Sequence, residues 1–236
     1  MWGVFKKNEK MAFVIIEDPI GGPSTTVRCA SSNKSLGGYS SIVGGFGNTT
    51  LSKYTFIGSG YLNTNNGCMS VITGGRKHTI TNGYSNIDGG FCNTTTGALS
   101  SIGGGCRNVV TGNNSTINGG SGNFASGLVS TVGGGCENTT TGNCSTVSGG
   151  YQNTASAAFA TVAGGCDNIS SGQYSYVGGG SSNTSSSLYS YVGGGFFNTA
   201  NDLCNGIVSG ALNVAEGEFS FIGAGKNNTS LLTMSS

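Results

Sequence analysis

The chain has 236 residues and a net charge of +1, with 45 glycines, two prolines and 8% charged side chains. Collagen is excluded, because glycine does not fall every third residue and proline is scarce. A nucleic-acid partner is excluded by the lack of a basic stripe, and a membrane span by the lack of any apolar run near the roughly 20 residues a membrane helix needs.

In chain order, residues 1–32 come first and do not fit the pattern that follows. Lys6, Lys7 and Lys10 precede the apolar run 11–16, which leads straight into Glu17-Asp18-Pro19. That run is too short, and too abruptly followed by charge, for a cleaved signal peptide. Trp2, Phe5 and the Phe13–Ile16 run read as a capping or docking segment, closing one end of a rod or binding a capsid or base protein.

From Asn33 onward asparagine recurs every fifteen residues to Asn228, and the one exception in that register is His78, the only histidine. A strict period without insertions means one short unit stacked coil on coil. With each Asn as position zero, the unit reads Asn-Thr-x-x-Gly-x-(Tyr/Phe)-Ser-x-(Ile/Val)-x-Gly-Gly-x-x. Position nine is Ile or Val from Ile42 to Ile222, and position twelve is glycine from Gly45 to Gly225. The β-branched residue centres a short strand. The glycines near positions four and twelve predict two corners, and at about 1 kcal/mol each they exclude a helix. The expectation is an all-β, single-chain parallel β-solenoid of 13–14 coils over residues 33–232, with a tail at 233–236. At about 4.8 Å per coil it would be a rod roughly 60–70 Å long.

Stacking aligns like residues. Asn48, Asn63, Asn93, Asn108, Asn138, Asn168 and Asn198 are expected to form a structural amide ladder, with His78 substituting as both donor and acceptor. Position six is bulky in most units: Tyr39, Tyr54, Tyr84, Phe159, Tyr174, Tyr189 and Phe219. Tyr176 and Tyr191 at position eight share its face. A strand apolar on both faces is buried on both. One face fills the interior, and the other is expected to be an oligomer face, since a monomer would leave it wet. The alternative places position six in the core and leaves position nine partly exposed.

Segments such as 93–105 (NTTTGALSSIGGG) and 168–180 (NISSGQYSYVGGG) resemble the head repeats of YadA-like trimeric autotransporter adhesins and repeat segments of phage and large-virus fibres. The resemblance covers about residues 33–232. It implies a left-handed β-roll, a homotrimer, and attachment to a surface glycan or receptor. The adhesin unit is usually one residue shorter, and no coiled-coil stalk or membrane barrel follows here, so a virion or extracellular appendage component fits better than a self-exporting adhesin.

No catalytic, metal or cofactor set is expected. Glu137 and Asp167 share a register position two coils apart, near the spacing of inverting glycosidases, which leaves a glycan-cleaving spike as an alternative. A threonine column at position one leaves an ice-binding surface as another, though Val109, Phe124, Ile169 and Val214 interrupt it. A third alternative is a self-assembling filament joined through coil edges. The Gly103-Gly104-Gly105 run lacks a following helix and is no phosphate loop. Asp88 alone beside Gly-Gly makes no calcium pattern.

Most Asn-x-Ser/Thr sequons coincide with the ladder, so Asn113, Asn114 and Asn143 are the candidate glycosylation sites. Equivalent cysteines such as Cys106, Cys136 and Cys166 fall two coils apart, about 9–10 Å. That is too far for a disulfide, so synthesis in a reducing compartment is expected.

Overall fold

The computed structural model describes residues 13–16, 25–28 and 32–231. It is an all-β parallel solenoid of about thirteen turns, one per fifteen residues. Each coil contributes a two-residue strand at positions one and two and another at positions eight and nine. The position-eight strands form a fifteen-stranded sheet that runs to Phe221–Ile222, and the position-one strands form a fourteen-stranded sheet from Lys34–Ser35 to Thr229–Ser230. Register is i to i+15 throughout, as in Ile87 opposite Ile102 and Thr94 opposite Val109. A third line of parallel bridges at position thirteen, from Phe46–Tyr61 to Ala211–Lys226, adds a contact line to the two strands the sequence predicts.

Beyond the repeat, strand β1 (Phe13–Ile16) pairs antiparallel with β2 (Thr25–Arg28). β2 in turn pairs parallel with Ser41–Ile42, placing Val27 opposite Ile42. The position-eight sheet therefore begins inside the segment read as a cap, one fifteen-residue step early, and β1 is its outermost strand. Trp2, Phe5, Cys29 and the 233–236 tail lie outside the described residues.

The core is narrow. Position nine supplies it: Ile42 through Ile207 are fully buried, and Ile222 is 7% exposed. Facing them are the buried position-two side chains, among them Ile80, Val110, Ala125 and Ala155, with Thr50, Asn65 and Ser185 in other coils. The alternative that put position six inside is overturned. A buried Ile or Val stabilises by about 1.5–3 kcal/mol, and one per coil sets the scale of the apolar contribution.

Position six differs from expectation in a second way, because it is not a strand residue. Every residue there, from Tyr39 (φ 58) to Phe219 (φ 58), adopts the left-handed conformation, as does position fourteen, for example Leu62 (φ 55) and Asp167 (φ 55). The cause lies in the hydrogen bonding. Most coil N–H groups point forward, as Phe56 N–H to the Ser70 carbonyl at 3.0 Å, whereas positions six and fourteen point back, as Tyr54 N–H to Gly38 at 3.0 Å and Leu62 N–H to Phe46 at 2.9 Å. Reversing the peptide at two corners turns the chain and bonds each coil to both neighbours. It costs about 1 kcal/mol or more per non-glycine residue.

Position twelve demands glycine twice over. Gly120 has φ +89, and a Cβ there would collide with the Gly135 carbonyl of the next coil. Next to it, Gly119 would meet nothing within 4 Å. That explains why position eleven tolerates Ser59, Ser209 and Ala224.

Candidate functional site

The asparagine column is a bracket between coils more than an amide-to-amide ladder. Asn138 is fully buried. Its backbone N–H donates to Asn123 Oδ1 at 2.9 Å, while its Nδ2 donates to the Gly134 and Gly150 carbonyls, both at 2.9 Å. Its own Oδ1 accepts the Asn153 N–H at 3.0 Å. Asn48, Asn63, Asn108, Asn168 and Asn198 repeat this set, and Asn93 does so except that its N–H donates to His78 Nδ1. Direct amide contacts from Nδ2 to the preceding Oδ1 occur from Asn153 onward, at 2.9–3.2 Å. An acceptor and a two-hydrogen donor on one short arm is what the site uses, and only Asn has both at this length.

His78 fits half of that role. Its N–H donates to Asn63 Oδ1 at 2.9 Å, and its Nδ1 accepts the Asn93 N–H at 3.1 Å. Because Nδ1 accepts, the network assigns the ring proton to Nε2. Nε2 is buried without a hydrogen-bond partner, against the side of Gly75. Burial lowers the imidazole pKa below its ordinary value, partly offset by backbone groups of Asn93 and Gly90. His78 is thus a neutral ladder member with an orphaned donor.

The expected oligomer face is a ridge on the corner before the position-eight strand. Tyr39, Tyr54, Tyr84, Phe159, Tyr174, Tyr189 and Phe219 are 44–60% exposed. Tyr191 is exposed and Tyr176 half-buried. The rings stack along the rod axis: Tyr39 on Tyr54 at 4.9 Å, Phe159 on Tyr174 at 4.8 Å, Tyr174 on Tyr189 at 5.2 Å, and Tyr176 on Tyr191 at 5.4 Å, all within 11° of parallel. In these stacks ring faces are spent on neighbouring coils and ring edges are left outward, whereas Tyr84, between Met69 and Leu99, and Phe219, after Cys204, have no ring stacked on them.

Half a coil away, positions thirteen and fourteen make the opposite edge. Arg76 lies between the Tyr61 and Phe91 rings, 5.3 and 5.5 Å from their centroids. Glu137 and Asp167 are exposed. Glu137 Oε2 accepts from Gln152 Nε2 at 2.7 Å, and Asp167 accepts from Cys166 Sγ at 3.3 Å. That last bond raises the Cys166 thiol pKa, and the Glu137 charge raises that of Tyr151. The seven described cysteines are all free.

Sequence reasoning saw scattered charges where the structure shows one column. Lys77, Arg107, Glu137 and Asp167 occupy position fourteen in alternate coils. Their thirty-residue spacing was the signal that could have revealed it.

Of the sequon asparagines, Asn48, Asn93, Asn138, Asn168 and Asn183 are fully buried with their amides bonded. Asn113, Asn114 and Asn143 are exposed. Asn113 Oδ1 accepts from Ala98 N–H and Asn143 Oδ1 from Leu128 N–H. Among the described residues no group of three or more His, Cys, Asp or Glu could hold a metal ion, and no helix is long and apolar enough to cross a membrane. No protein-family model matches the chain, and no curated protein matches it either.

Proposed function

We propose that this protein is a non-enzymatic structural fibre or spike component, a rod that assembles with two further copies along its position-six ridge and mediates surface attachment. The observation that carries this reading is the ridge itself. Bulky aromatic side chains sit exposed at a left-handed corner, where Gly or Asn would cost less. Stacking along the axis offsets part of that cost, and burial against a partner chain gives the exposed remainder a role.

Outward ring edges suit packing against other rings, so another copy of the ridge is a fitting occupant. A glycan that stacks on a ring face would find such faces at the ends of each stack and at Tyr84 and Phe219. The resemblance of the unit to YadA-like head repeats supports three chains with a common polarity. Residues 1–32 would then dock the rod on a base or capsid protein, with the particle surface or an extracellular appendage as its location.

Replacing Tyr174 and Tyr189 with Lys should convert the assembly to single chains by size-exclusion light scattering. An unchanged mass, or open-ended polymers from the native chain, would overturn the closed trimer.

A further inference from the structure

The charge on this rod is polarised along its axis. Residues 32–112 carry five basic side chains and one acidic, and residues 113–231 carry one basic and five acidic. At position fourteen the pattern is antisymmetric about one point. Arg107 lies one coil before Gly122 and Glu137 one coil after; Lys77 lies three coils before and Asp167 three coils after. All four side chains are exposed. Among the described residues neither Lys77 nor Arg107 has an ion-pair partner within the chain.

Gly122 and its neighbour Ser121 form a notch at the centre. Other coils hold side chains at position fourteen in the same left-handed backbone, and a Cβ on Gly122 would make only ordinary contact with Glu137 Cγ at 3.4 Å. Gly122 adopts φ +66, where glycine is the least strained residue, and at the centre of the edge it also leaves room for a close approach. Position thirteen repeats the symmetry about Ser121 in part: Cys106 mirrors Cys136, Phe91 mirrors Tyr151 and Phe46 mirrors Phe196, while Arg76 falls opposite Cys166 and Tyr61 opposite Ser181.

We propose that this edge binds a second copy of the chain in antiparallel orientation, about a two-fold axis through the Ser121–Gly122 notch. The axis sets Arg107 against Glu137 and Lys77 against Asp167 of the second copy, each pair twice, as an isologous contact requires. Phe91 meets Tyr151 and Phe46 meets Phe196 across the axis, and Cys106 of one copy faces Cys136 of the other. The contact strip is about 50 Å long at 4.8 Å per coil. Parallel copies would instead set Arg107 on Arg107 and Glu137 on Glu137. Rods of common polarity on one surface thus leave the edge free, and rods pointing toward each other from two surfaces present complementary edges. The surface attached to is then another surface carrying this same protein. The pairing deepens the attachment reading but stands on its own columns, half a coil from the position-six ridge.

Mild thiol oxidation of the full chain in low salt tests it. Within one chain Cys106 and Cys136 are two coils, about 9–10 Å, apart, beyond disulfide reach, so a 106–136 bond is intermolecular. The expected product is a covalent dimer whose tryptic map shows Cys106 joined to Cys136, lost at about 1 M salt where screening is complete within about 3 Å. Links between like cysteines, or no dimer, overturn the proposal. Arg107→Glu with Lys77→Glu should weaken pairing about tenfold or more, and adding Glu137→Arg with Asp167→Lys should restore it. Pairing indifferent to the first two changes, or unrestored by the second two, is equally fatal. Carrying Tyr174→Lys and Tyr189→Lys in the same oxidation separates the two assemblies, since the 106–136 bond should survive loss of the ridge.

Discussion

Replacing His78 with Asn should stabilise the rod, by an amount that grows on acidification. In the native chain the imidazole accepts the Asn93 N–H, but Nε2–H is buried without a partner. Asparagine at this position in other coils donates twice, to the position-eleven carbonyl four residues before it and to the position-twelve carbonyl twelve residues after it, as Asn93 does to Gly89 and Gly105. At residue 78 the corresponding carbonyls belong to Gly74 and Gly90. The substitution removes an unsatisfied buried donor, worth about 1–3 kcal/mol, and adds bonds of about 1 kcal/mol each. A net gain of about 2 kcal/mol is expected near neutral pH.

The pH dependence follows from the lowered pKa. The unfolded histidine titrates near its ordinary value of 6.5 and binds a proton more readily than the folded one. Stability is therefore full above that value and is lost as pH falls from it toward the folded pKa, by at most about 1.4 kcal/mol per pH unit. The asparagine variant lacks this loss, so its advantage should widen between pH 7.5 and 5.5. Urea unfolding of both chains across that range, with hydrogen exchange at the Asn93 amide as a local probe, measures it. A variant no more stable than the native chain, or an advantage that stays constant with pH, would refute the reasoning.

Other columns give further expectations. Asn138→Ala strands the Gly134 carbonyl and the Asn153 N–H and leaves the Gly150 carbonyl with the Cys136 N–H alone, and should cost about 2–4 kcal/mol in urea unfolding; Asn138→Asp should be worse, because it buries a charge among carbonyls. Gly120→Ala should cost more than about 3 kcal/mol or abolish folding, while Gly119→Ala, with open space beside it, should change the unfolding midpoint little. Tyr174→Gly should relieve about 1 kcal/mol of left-handed strain, less the lost stacking on Phe159 and Tyr189, so the isolated rod should keep its stability while assembly, read by light scattering, declines.

Much of this fold was legible because every unit has the same length. The fifteen-residue register of Asn and the Ile/Val column located the strand at positions eight and nine and the glycine of position twelve, and implied a second strand per coil without placing it at positions one and two. The resting place of position six was not legible in the same way. Propensity argues against Tyr or Phe at a left-handed corner, and only the need to send the Tyr54 and Leu62 N–H groups backward makes that conformation favourable. The asparagine bracket was half visible: the column was clear, but its backbone partners depend on where the Gly134 and Gly150 carbonyls point. The antisymmetric charges were present in the spacing of Lys77, Arg107, Glu137 and Asp167. They meant little until position fourteen was known to face outward at an edge.

Self-assembly along the position-six ridge is most directly tested by the mass of the native chain in solution. Light scattering in about 1 M salt, where antiparallel ion pairing is screened, should give three times the 23.5 kDa chain mass, about 70 kDa. A mass of 23.5 kDa at all concentrations, with Tyr174 and Tyr189 left in water, would contradict it.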